Sequence, residues 1–354
     1  MERHRSSPNL PWEDQPLSWN RPCRPAPTFR TPDALIPLRS PQDAFRPSSI
    51  ALGSFDGLHQ GHRRVIAAIT GQNCPSGCTP TVVSFWPHPR EVLHGDTRLR
   101  LDLPAEKLAL LQPLAVRQLV LIPFDRALAS LSPEAFVEQV LVDQLQARRI
   151  AVGDNFRFGA GRRGDAQDLA RIAAGHGVAV AVLPMLWDGS ERVSSSRIRR
   201  ALAAGELDEA RRLLDRPYRF CGQVGSGRGL GRTLGWPTAN LQVDGRKFLP
   251  AEGVYAAWAW VNEAPREAMA AVMNLGPQPT VDPQAPSAVE VHLLDRQLNL
   301  NGLALTVEPL RLLRSQCRFS GLDELVAQIG RDADQARQIC AAIVPDPDPW
   351  NADG

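Results

Sequence analysis

The chain has 354 residues, of which 43% are hydrophobic, and its formal net charge is +2. This length predicts two domains with hydrophobic cores of their own, and the near-neutral charge argues against a general binder of nucleic acid. The longest apolar runs are shorter than the roughly 18 to 20 residues that a membrane-spanning helix needs, so we expect no membrane partner.

Residues 1–30 are rich in Pro, Arg and Ser and have no apolar periodicity, so we predict that they are disordered. They lack the apolar core of a signal peptide. The six cysteines are scattered along the chain, which is typical of reduced thiols in a cytoplasmic protein. Cys74 and Cys78 form a CxxxC pair in a Pro/Gly loop, but a zinc site needs two more ligands at suitable spacing, and we find none.

Strands and helices alternate between residue 31 and residue 205. The strand-like runs are SSIALGSF, TVVSFW, QLVLIPF, RRIAVG and VAVAVLP, and the segments of helical spacing are HRRVIAAIT, PAEKLALLQPL, PEAFVEQVLVDQL and DAQDLARIAAGHG. Ser132 is the predicted cap of the third of these helices. Continuous apolar strands between amphipathic helices predict a Rossmann-like α/β domain, a parallel sheet with helices on both faces. Ligands of such sheets bind at the carboxyl ends of the strands.

The pattern changes after a predicted helical linker at residues 206–216. Residues 217–343 contain six short strand-like runs with turn signals between them, which predict an antiparallel barrel or sandwich. One long helix, from about Leu322 to Ile343, closes this second domain. Residues 344–354 are predicted to be a flexible tail.

The stretch LGSFDGLHQGH lies at the end of the first apolar strand. His59 and His62 are three residues apart at the start of a helix, so both imidazoles can point at one ligand beside free backbone N–H groups. Gly53, Gly57 and Gly61 permit tight turns and the close approach of a phosphate chain. The stretch predicts a site for the phosphates of a nucleotide; the alternative is a pair of exposed histidines at a helix cap.

GSFDGLHQGH resembles the HxGH signature of the nucleotidylyltransferases, and SSSRIR, from Ser194 to Arg199, resembles their second signature. Ser196 stands where that family usually has Thr. The resemblance implies that both motifs hold ATP during in-line attack on its α-phosphate, with pyrophosphate leaving and no covalent enzyme intermediate. It implies catalytic roles for the two histidines and leaves Asp56 either orienting the turn or near the metal. The implied ATP-binding residues are Gly53, Phe55, Asp56, His59, His62, Ser195, Ser196 and Arg199.

Two further segments, SFWPHPREVL and VGDNFRFGAGRRGD, are similar to flavin-side segments of bacterial FAD synthetases. Taken alone, the second segment predicts the end of a strand and a structural loop. Because that loop follows a strand, its position fits a ligand site. The flavin-binding residues that the similarity implies are His88, Pro89, Asn155, Phe156 and Arg157.

The second domain contains a glycine-rich segment, GSGRGLGRTLGWPTANL. It lacks the GKS/T of a Walker A loop, and its glycines alone fit either a flap over phosphates or a flexible hairpin. Thr238 and Asn240 alternate along a predicted strand, so their side chains face one side and present hard oxygen ligands that suit Mg²⁺. Glu290, in the apolar strand VEVHLLD, is either a general base or an acid paired with an arginine.

The PTAN segment resembles that of riboflavin kinases, as do MNLGPQPTV and LRSQCRFSGLDELVAQIGRD. The resemblance implies a β-barrel with a closing helix, in which Glu290 takes the proton from the riboflavin 5′-hydroxyl that attacks the γ-phosphate of ATP. Thr238 and Asn240 would also bind Mg²⁺. The implied ATP-binding residues are Gly225, Gly227, Gly229, Gly231, Arg232, Thr238 and Asn240, and the implied flavin-binding residues are Glu290, Arg314 and Phe319.

From about residue 31 to residue 343 the chain resembles the bacterial bifunctional riboflavin kinases/FMN adenylyltransferases. The resemblance implies ATP-dependent conversion of riboflavin to FMN in the second domain and of FMN to FAD in the first, by a cytoplasmic monomer or weak homo-oligomer. Val281 replaces a usual Phe, and Asn301 replaces a usual Tyr. These departures leave two alternatives, a monofunctional adenylyltransferase with a degenerate kinase domain and a non-enzymatic flavin-binding regulator.

Overall fold

The structure, a computed structural model, describes residues 36–95, 99–225, 235–262, 267–276 and 289–346. Several positions that the sequence singles out lie outside these ranges: residues 1–30, most of the predicted tail, Val281, and the glycine-rich positions Gly227, Gly229, Gly231 and Arg232.

The first domain is built on a six-stranded parallel sheet. Along the chain its region contains β1 Leu38–Arg39, β2 Ser48–Leu52, β3 Thr79–Trp86, β4 Gln118–Pro123, β5 Ala147–Gly153, β6 Arg157–Phe158, β7 Gly164–Asp165, β8 Ala179–Leu183, β9 Trp187–Asp188 and β10 Glu191–Arg192. The sheet order is β1-β4-β3-β2-β5-β8, while β6 pairs with β7 and β9 pairs with β10. Ile50 packs on one side of the sheet and Ala51 on the other, each in its own buried cluster. Both faces are therefore covered, which confirms the predicted Rossmann-like class.

Eight α-helices lie before the barrel within the described residues: α1 Gln60–Ala67, α2 Pro89–His94, α3 Pro104–Leu111, α4 Arg126–Ser130, α5 Pro133–Phe136, α6 Ala166–Ala174, α7 Ser195–Ala203 and α8 Leu207–Leu214. Ser132 caps α5 as the sequence predicts, because its side chain accepts a hydrogen bond from the N–H of Ala135. The segment predicted as one regular helix here is not regular. After α5 it continues as a π-helix over Val137–Gln144, in which the N–H of Leu145 reaches the carbonyl of Val140, five residues back.

The second domain is a closed barrel of six antiparallel strands. These strands are β11 Phe220–Gly225, β12 Ala239–Val243, β13 Gly253–Val261, β14 Met269–Leu275, β15 Val289–Leu293 and β16 Ala304–Arg314. Their order is β11-β12-β15-β14-β13-β16, and β16 pairs with β11 to close the ring. The choice between barrel and sandwich is thus settled as a barrel. The closing helix α9, Leu322–Ala342, packs outside the barrel with Ala333 and Ala336 buried against the outer face of β13 and β14.

The two domains share buried residues at their junction. Four apolar residues of α8 are buried, so the segment predicted as a linker is also a packed helix. Ile198 and Leu202 of α7 belong to the same buried cluster as Phe220 and Leu305 in the barrel. The barrel is therefore held against the first domain by a common core. Among the described residues, no helix has the length and apolarity that crossing a membrane requires.

Candidate active sites

The turn between β2 and α1 has an unusual backbone. Phe55, Gly57 and Leu58 all have φ between 40° and 87°, in the left-handed region. A Cβ on Gly57 would lie 2.7 Å from Cδ1 of Leu101, so this position needs glycine for space as well as for conformation. His59 follows as the cap of α1, and its Nδ1 accepts a hydrogen bond of 3.4 Å from the N–H of His62.

The two histidines lie face to face at the start of α1. Their ring centroids are 3.6 Å apart with 18° between the planes, and the ring of Phe55 meets His62 edge-on. His59 is only 6% exposed, so it differs from the exposed cap of the alternative interpretation. Burial lowers the pKa of His59 to about 4, and burial with the neighbouring His59 lowers the pKa of His62 well below its usual value. Both rings are therefore neutral near pH 7 in the protein without nucleotide.

Two carboxylates hold this turn from below. Asp56 pairs with Arg199 and accepts a hydrogen bond of 2.9 Å from the N–H of Leu101. Burial would raise the pKa of Asp56, but nearby cations, Arg199 first among them, outweigh it and hold that pKa below its usual value. Asp102 accepts a hydrogen bond from the N–H of Gly57. Of the two roles left open for Asp56, this geometry favours orienting the turn.

A cavity of about 440 Å³ opens above the turn, at the carboxyl ends of β2, β3, β5 and β8. It is lined by eleven of the residues that the sequence assigned to ATP or flavin: Gly53, Phe55, His59, His62, His88, Pro89, Asn155, Phe156, Arg157, Ser195 and Ser196. Asp56 and Arg199 do not line it, since they pair with each other beneath the turn. Ser195 links the cavity lining to the turn beneath it, because its hydroxyl donates a hydrogen bond of 2.7 Å to the carbonyl of Asp56.

Two candidate residues of the barrel, Asn240 and Glu290, lie on its outer face. Glu290 lies opposite Asn240 across β12 and β15, and opposite Asn274 across β14 and β15. Its neighbours Val289 and Val291 are buried in the barrel core, so Glu290 faces outward and is half-buried. β12 begins at Ala239, which puts Thr238 just before the strand rather than in it, and there it is exposed.

A second cavity, of about 850 Å³, lies at this end of the barrel and is lined by Gly225, Thr238 and the segment 296–301, which includes Asn301. Asn240, Glu290, Arg314 and Phe319 are outside its lining. Arg314 forms an ion pair of 2.9 Å with the buried Asp332 of α9, and its guanidinium lies 5.5 Å from the ring centroid of Phe319. Of the three residues predicted on the flavin side, Arg314 and Phe319 are therefore neighbours of each other.

Comparisons with known proteins match both halves of the chain. A family model for FAD synthetase matches residues 42–197, and one for riboflavin kinase matches residues 214–340. The bifunctional riboflavin kinase/FMN adenylyltransferase of Escherichia coli is 36% identical over 298 residues, which cover 84% of this chain and 94% of the relative. The enzyme of that name from Pseudomonas fluorescens is 37% identical over 291 residues, 82% of this chain and 92% of the relative.

The chain belongs to the bifunctional riboflavin kinase/FMN adenylyltransferase family. This confirms the resemblance drawn from the motifs. The whole fold also matches a crystal structure described as a macrolide-efflux protein from Streptococcus pneumoniae, with a TM-score of 0.75 and 29% identity over 86% of this chain and 99% of that one. That match supports the two-domain arrangement, and both family models describe flavin enzymes.

The cavity of the first domain also contains residues that the motifs did not predict. Arg162, Met185 and Arg192 also line the cavity of the first domain. Arg162 lies within the quoted segment VGDNFRFGAGRRGD, and Arg192 stands two positions before SSSRIR, so both were close to a motif. The directions of these two arginine side chains depend on the short strand pairs β6–β7 and β9–β10, and no periodic pattern in the sequence indicates those pairs. Together with Arg157 the two arginines bring guanidinium groups to the cavity lining.

Thr238 and Asn240 carry side-chain oxygens of the kind that fit Mg²⁺. A threonine hydroxyl and an asparagine carbonyl, from Thr238 and Asn240, are oxygen ligands for a cation that keeps waters and binds nucleotide phosphates as well. Within the described ranges there is no group of three or more His, Cys, Asp and Glu residues that could form a metal cage. That finding covers Cys74 and Cys78, and the thiol of Cys74 contacts the carbonyl of Cys78 at 3.4 Å.

Proposed function

We propose that the chain phosphorylates riboflavin to FMN at the barrel and adenylylates FMN to FAD at the α/β domain, using ATP in both reactions. The observation that supports this best is that three segments distant in the sequence line one cavity. These segments contain His59, Asn155 and Ser196. An adenylyltransferase must hold ATP and a flavin phosphate side by side, and the lining of this cavity combines residues predicted on the nucleotide side with residues predicted on the flavin side.

In the first domain an oxygen of the FMN phosphate attacks the α-phosphorus of ATP. One phosphorus–oxygen bond forms, and the bond to the β-phosphate breaks, so pyrophosphate leaves. The neutral rings of His59 and His62 would donate hydrogen bonds to phosphate oxygens, and bound phosphate would favour their protonation. Arg157, Arg162 and Arg192 would add positive charge around the phosphates. The histidines thus begin as hydrogen-bond donors rather than as fixed charges.

In the barrel, Glu290 would take the proton of the riboflavin 5′-hydroxyl as that oxygen attacks the γ-phosphorus of ATP and ADP leaves. Its register between Asn240 and Asn274 would hold the carboxylate beside the metal-binding side. Thr238 and Asn240 would hold Mg²⁺, which when bound offsets charge on the ATP phosphates. Arg314 and Phe319 remain proposed flavin contacts, and Gly227, Gly229, Gly231 and Arg232 remain proposed ATP contacts outside the described residues.

Three further expectations stay part of the proposal. We place the domain limits at residues 31–205 and 217–343, with residues 206–216 between them, and we expect a monomer or weak homo-oligomer. We also expect the protein in the cytoplasm, where riboflavin, FMN and ATP are its substrates.

The test is a time course of flavins separated by chromatography after incubation with riboflavin, ATP and Mg²⁺. We expect FMN first and FAD later in the wild type. The His59→Ala/His62→Ala variant should accumulate FMN, and Glu290→Gln should leave riboflavin unchanged while still converting supplied FMN to FAD. His176→Ala and Glu252→Gln are matched controls, because both side chains are exposed and neither lines either cavity.

Each failure has its own meaning. A wild type that converts FMN to FAD but leaves riboflavin unchanged would indicate a degenerate kinase domain. A wild type that binds flavin and converts neither compound would indicate a regulator. Variants that behave like the wild type would overturn the residue roles while leaving the activities in place.

A further inference from the structure

His292 is a second polar residue on the outer face of β15, two residues after Glu290. Its Nδ1 lies 2.7 Å from the carbonyl oxygen of Pro237. A carbonyl only accepts hydrogen bonds, so Nδ1 must carry the hydrogen and the ring donates. The ring of Trp236 meets the same imidazole edge-on, with 5.1 Å between centroids. One histidine therefore contacts the two residues that precede Thr238.

The bond to Pro237 compensates for a gap in the strand ladder. Paired residues of β12 and β15 begin at Ala239 and Val291, so Pro237 lies beyond the start of the pairing. Proline has no N–H, and it therefore cannot extend the ladder with a donor of its own. The imidazole supplies the cross-strand contact in its place. If this hydrogen bond were lost, the edge-on contact of Trp236 would be the one described contact left between β15 and the chain before Ala239.

Trp236 fixes the same segment from the other side. It packs against the buried cluster between the barrel and α9 that includes Val254 and Ala333. Thr238 thus follows a tryptophan anchored on α9 and a proline anchored on β15. Its exposed hydroxyl owes its position to these two neighbours, because the strand proper starts one residue later.

We propose that His292 is a positioning residue of the kinase site, which fixes the Pro237–Thr238 peptide so that the Thr238 hydroxyl stands beside Asn240. The inference rests on the proposed riboflavin kinase function of the barrel. His292 does not line the cavity at this end, whereas Pro237 and Thr238 do. It therefore acts through the Pro237 carbonyl and touches neither substrate nor metal.

The chemistry of the side chain suggests a matched pair of variants. In asparagine the amide nitrogen is as many bonds from Cα as Nδ1 is in histidine, so His292→Asn keeps a donor at the required place. In His292→Gln the same amide is one bond further from Cα, so its N–H donor is not placed at the Pro237 carbonyl. We expect His292→Asn to phosphorylate riboflavin within about twofold of the wild type, and His292→Gln to lose about tenfold in kcat/KM for MgATP through a higher KM. The KM for riboflavin and the conversion of FMN to FAD should not change in either variant.

Two measurements do not depend on turnover. Amide hydrogen exchange in the peptide 236–243 should be faster in His292→Gln than in His292→Asn or the wild type. Calorimetric titration with MgADP should show weaker binding to His292→Gln alone, and ADP without Mg²⁺ should bind all three proteins alike.

The outcomes distinguish a failure of the proposed kinase function from a failure of the role proposed for His292. A wild type without riboflavin kinase activity would overturn the proposed function of the barrel and this inference with it. An active wild type with an equally active His292→Gln variant would overturn the inference alone. Equal losses in the Asn and Gln variants, with unchanged exchange in the peptide 236–243, would also overturn it, because the position of the donor would then not matter.

Discussion

The carboxylate of Asp102 accepts a hydrogen bond of 2.7 Å from the backbone N–H of Gly57. Its second oxygen lies 3.0 Å from the guanidinium of Arg216, which in turn donates to the carbonyl of Gly57. Arg216 stands just before the barrel begins, whereas Gly57 precedes the two histidines. The turn that carries the candidate adenylyltransferase site is therefore held by residues at the junction with the other domain.

Replacing Asp102 with Asn should weaken this support. The change leaves Arg216 without its buried counter-ion, and breaking a buried ion pair from one side costs about 3 kcal/mol. We expect the free energy of unfolding to fall by about that amount, and conversion of FMN to FAD to drop about tenfold because the turn shifts under His59. Urea unfolding and the flavin assay measure the two effects. Asp215→Asn is the matched control, since Asp215 pairs with Arg63 but is 63% exposed and should change stability by less than about 1 kcal/mol.

Gly57→Ala tests the geometry of the same turn. Its φ of 87° and the 2.7 Å approach of Leu101 leave no room for a methyl group, so we expect both lower stability and loss of FAD formation. Gly71 is the control, because it has a φ of 55° and open space around it. Gly71→Ala should cost only the conformational penalty of about 1 kcal/mol and keep full activity. Equal costs for the two alanines, measured by urea unfolding, would contradict the steric argument.

The buried histidines predict a pH dependence of stability. His59 has a pKa of about 4 in the folded protein against its ordinary value of 6.5, so between these values the unfolded state binds more protons. Stability should then rise as the pH increases from 4 to 6.5, by at most about 3 kcal/mol for His59, and stay level above that window. The measurement is the urea midpoint from pH 4 to pH 8. The His59→Gln/His62→Gln variant should show a smaller rise, and the exposed His176→Gln should follow the wild type.

A buried ion pair across the junction offers a double-mutant cycle. Lys247 of the barrel lies 2.6 Å from Glu106 of α3, and both side chains are at most 4% exposed. Lys247→Met leaves a buried carboxylate and should cost about 3 kcal/mol, part of which Lys247→Met/Glu106→Gln should recover. Burial already raises the pKa of Glu106, so the single variant should protonate it more readily and lose less stability at pH 6 than at pH 8. The cycle is completed by Glu106→Gln alone, and a loss in the double variant equal to the sum of the two single losses in urea unfolding would show that the pair does not couple the domains.

Much of this architecture was predictable from local sequence patterns. The runs SSIALGSF and QLVLIPF predict buried parallel strands, and β2 and β4 lie within them, because continuous apolar residues suit a sheet covered on both faces. The cap at Ser132 was also predictable from local sequence, because its hydroxyl accepts a hydrogen bond from an N–H only three residues away. The motifs around His59 and Thr238 were recognisable for the same reason, as each is contained in a short stretch of chain.

What the sequence by itself determined was the type and order of the elements, the family, and the set of residues that could carry chemistry. The closure of the barrel, the pairing of Asp56 with Arg199, and the presence of Arg162 and Arg192 in the cavity were decided only by the tertiary structure. Asp56 and Arg199 are 143 residues apart, and no periodicity connects residues at that distance. Such pairs are selected by packing and electrostatics in the folded chain, where desolvation forces a buried charge to find a partner.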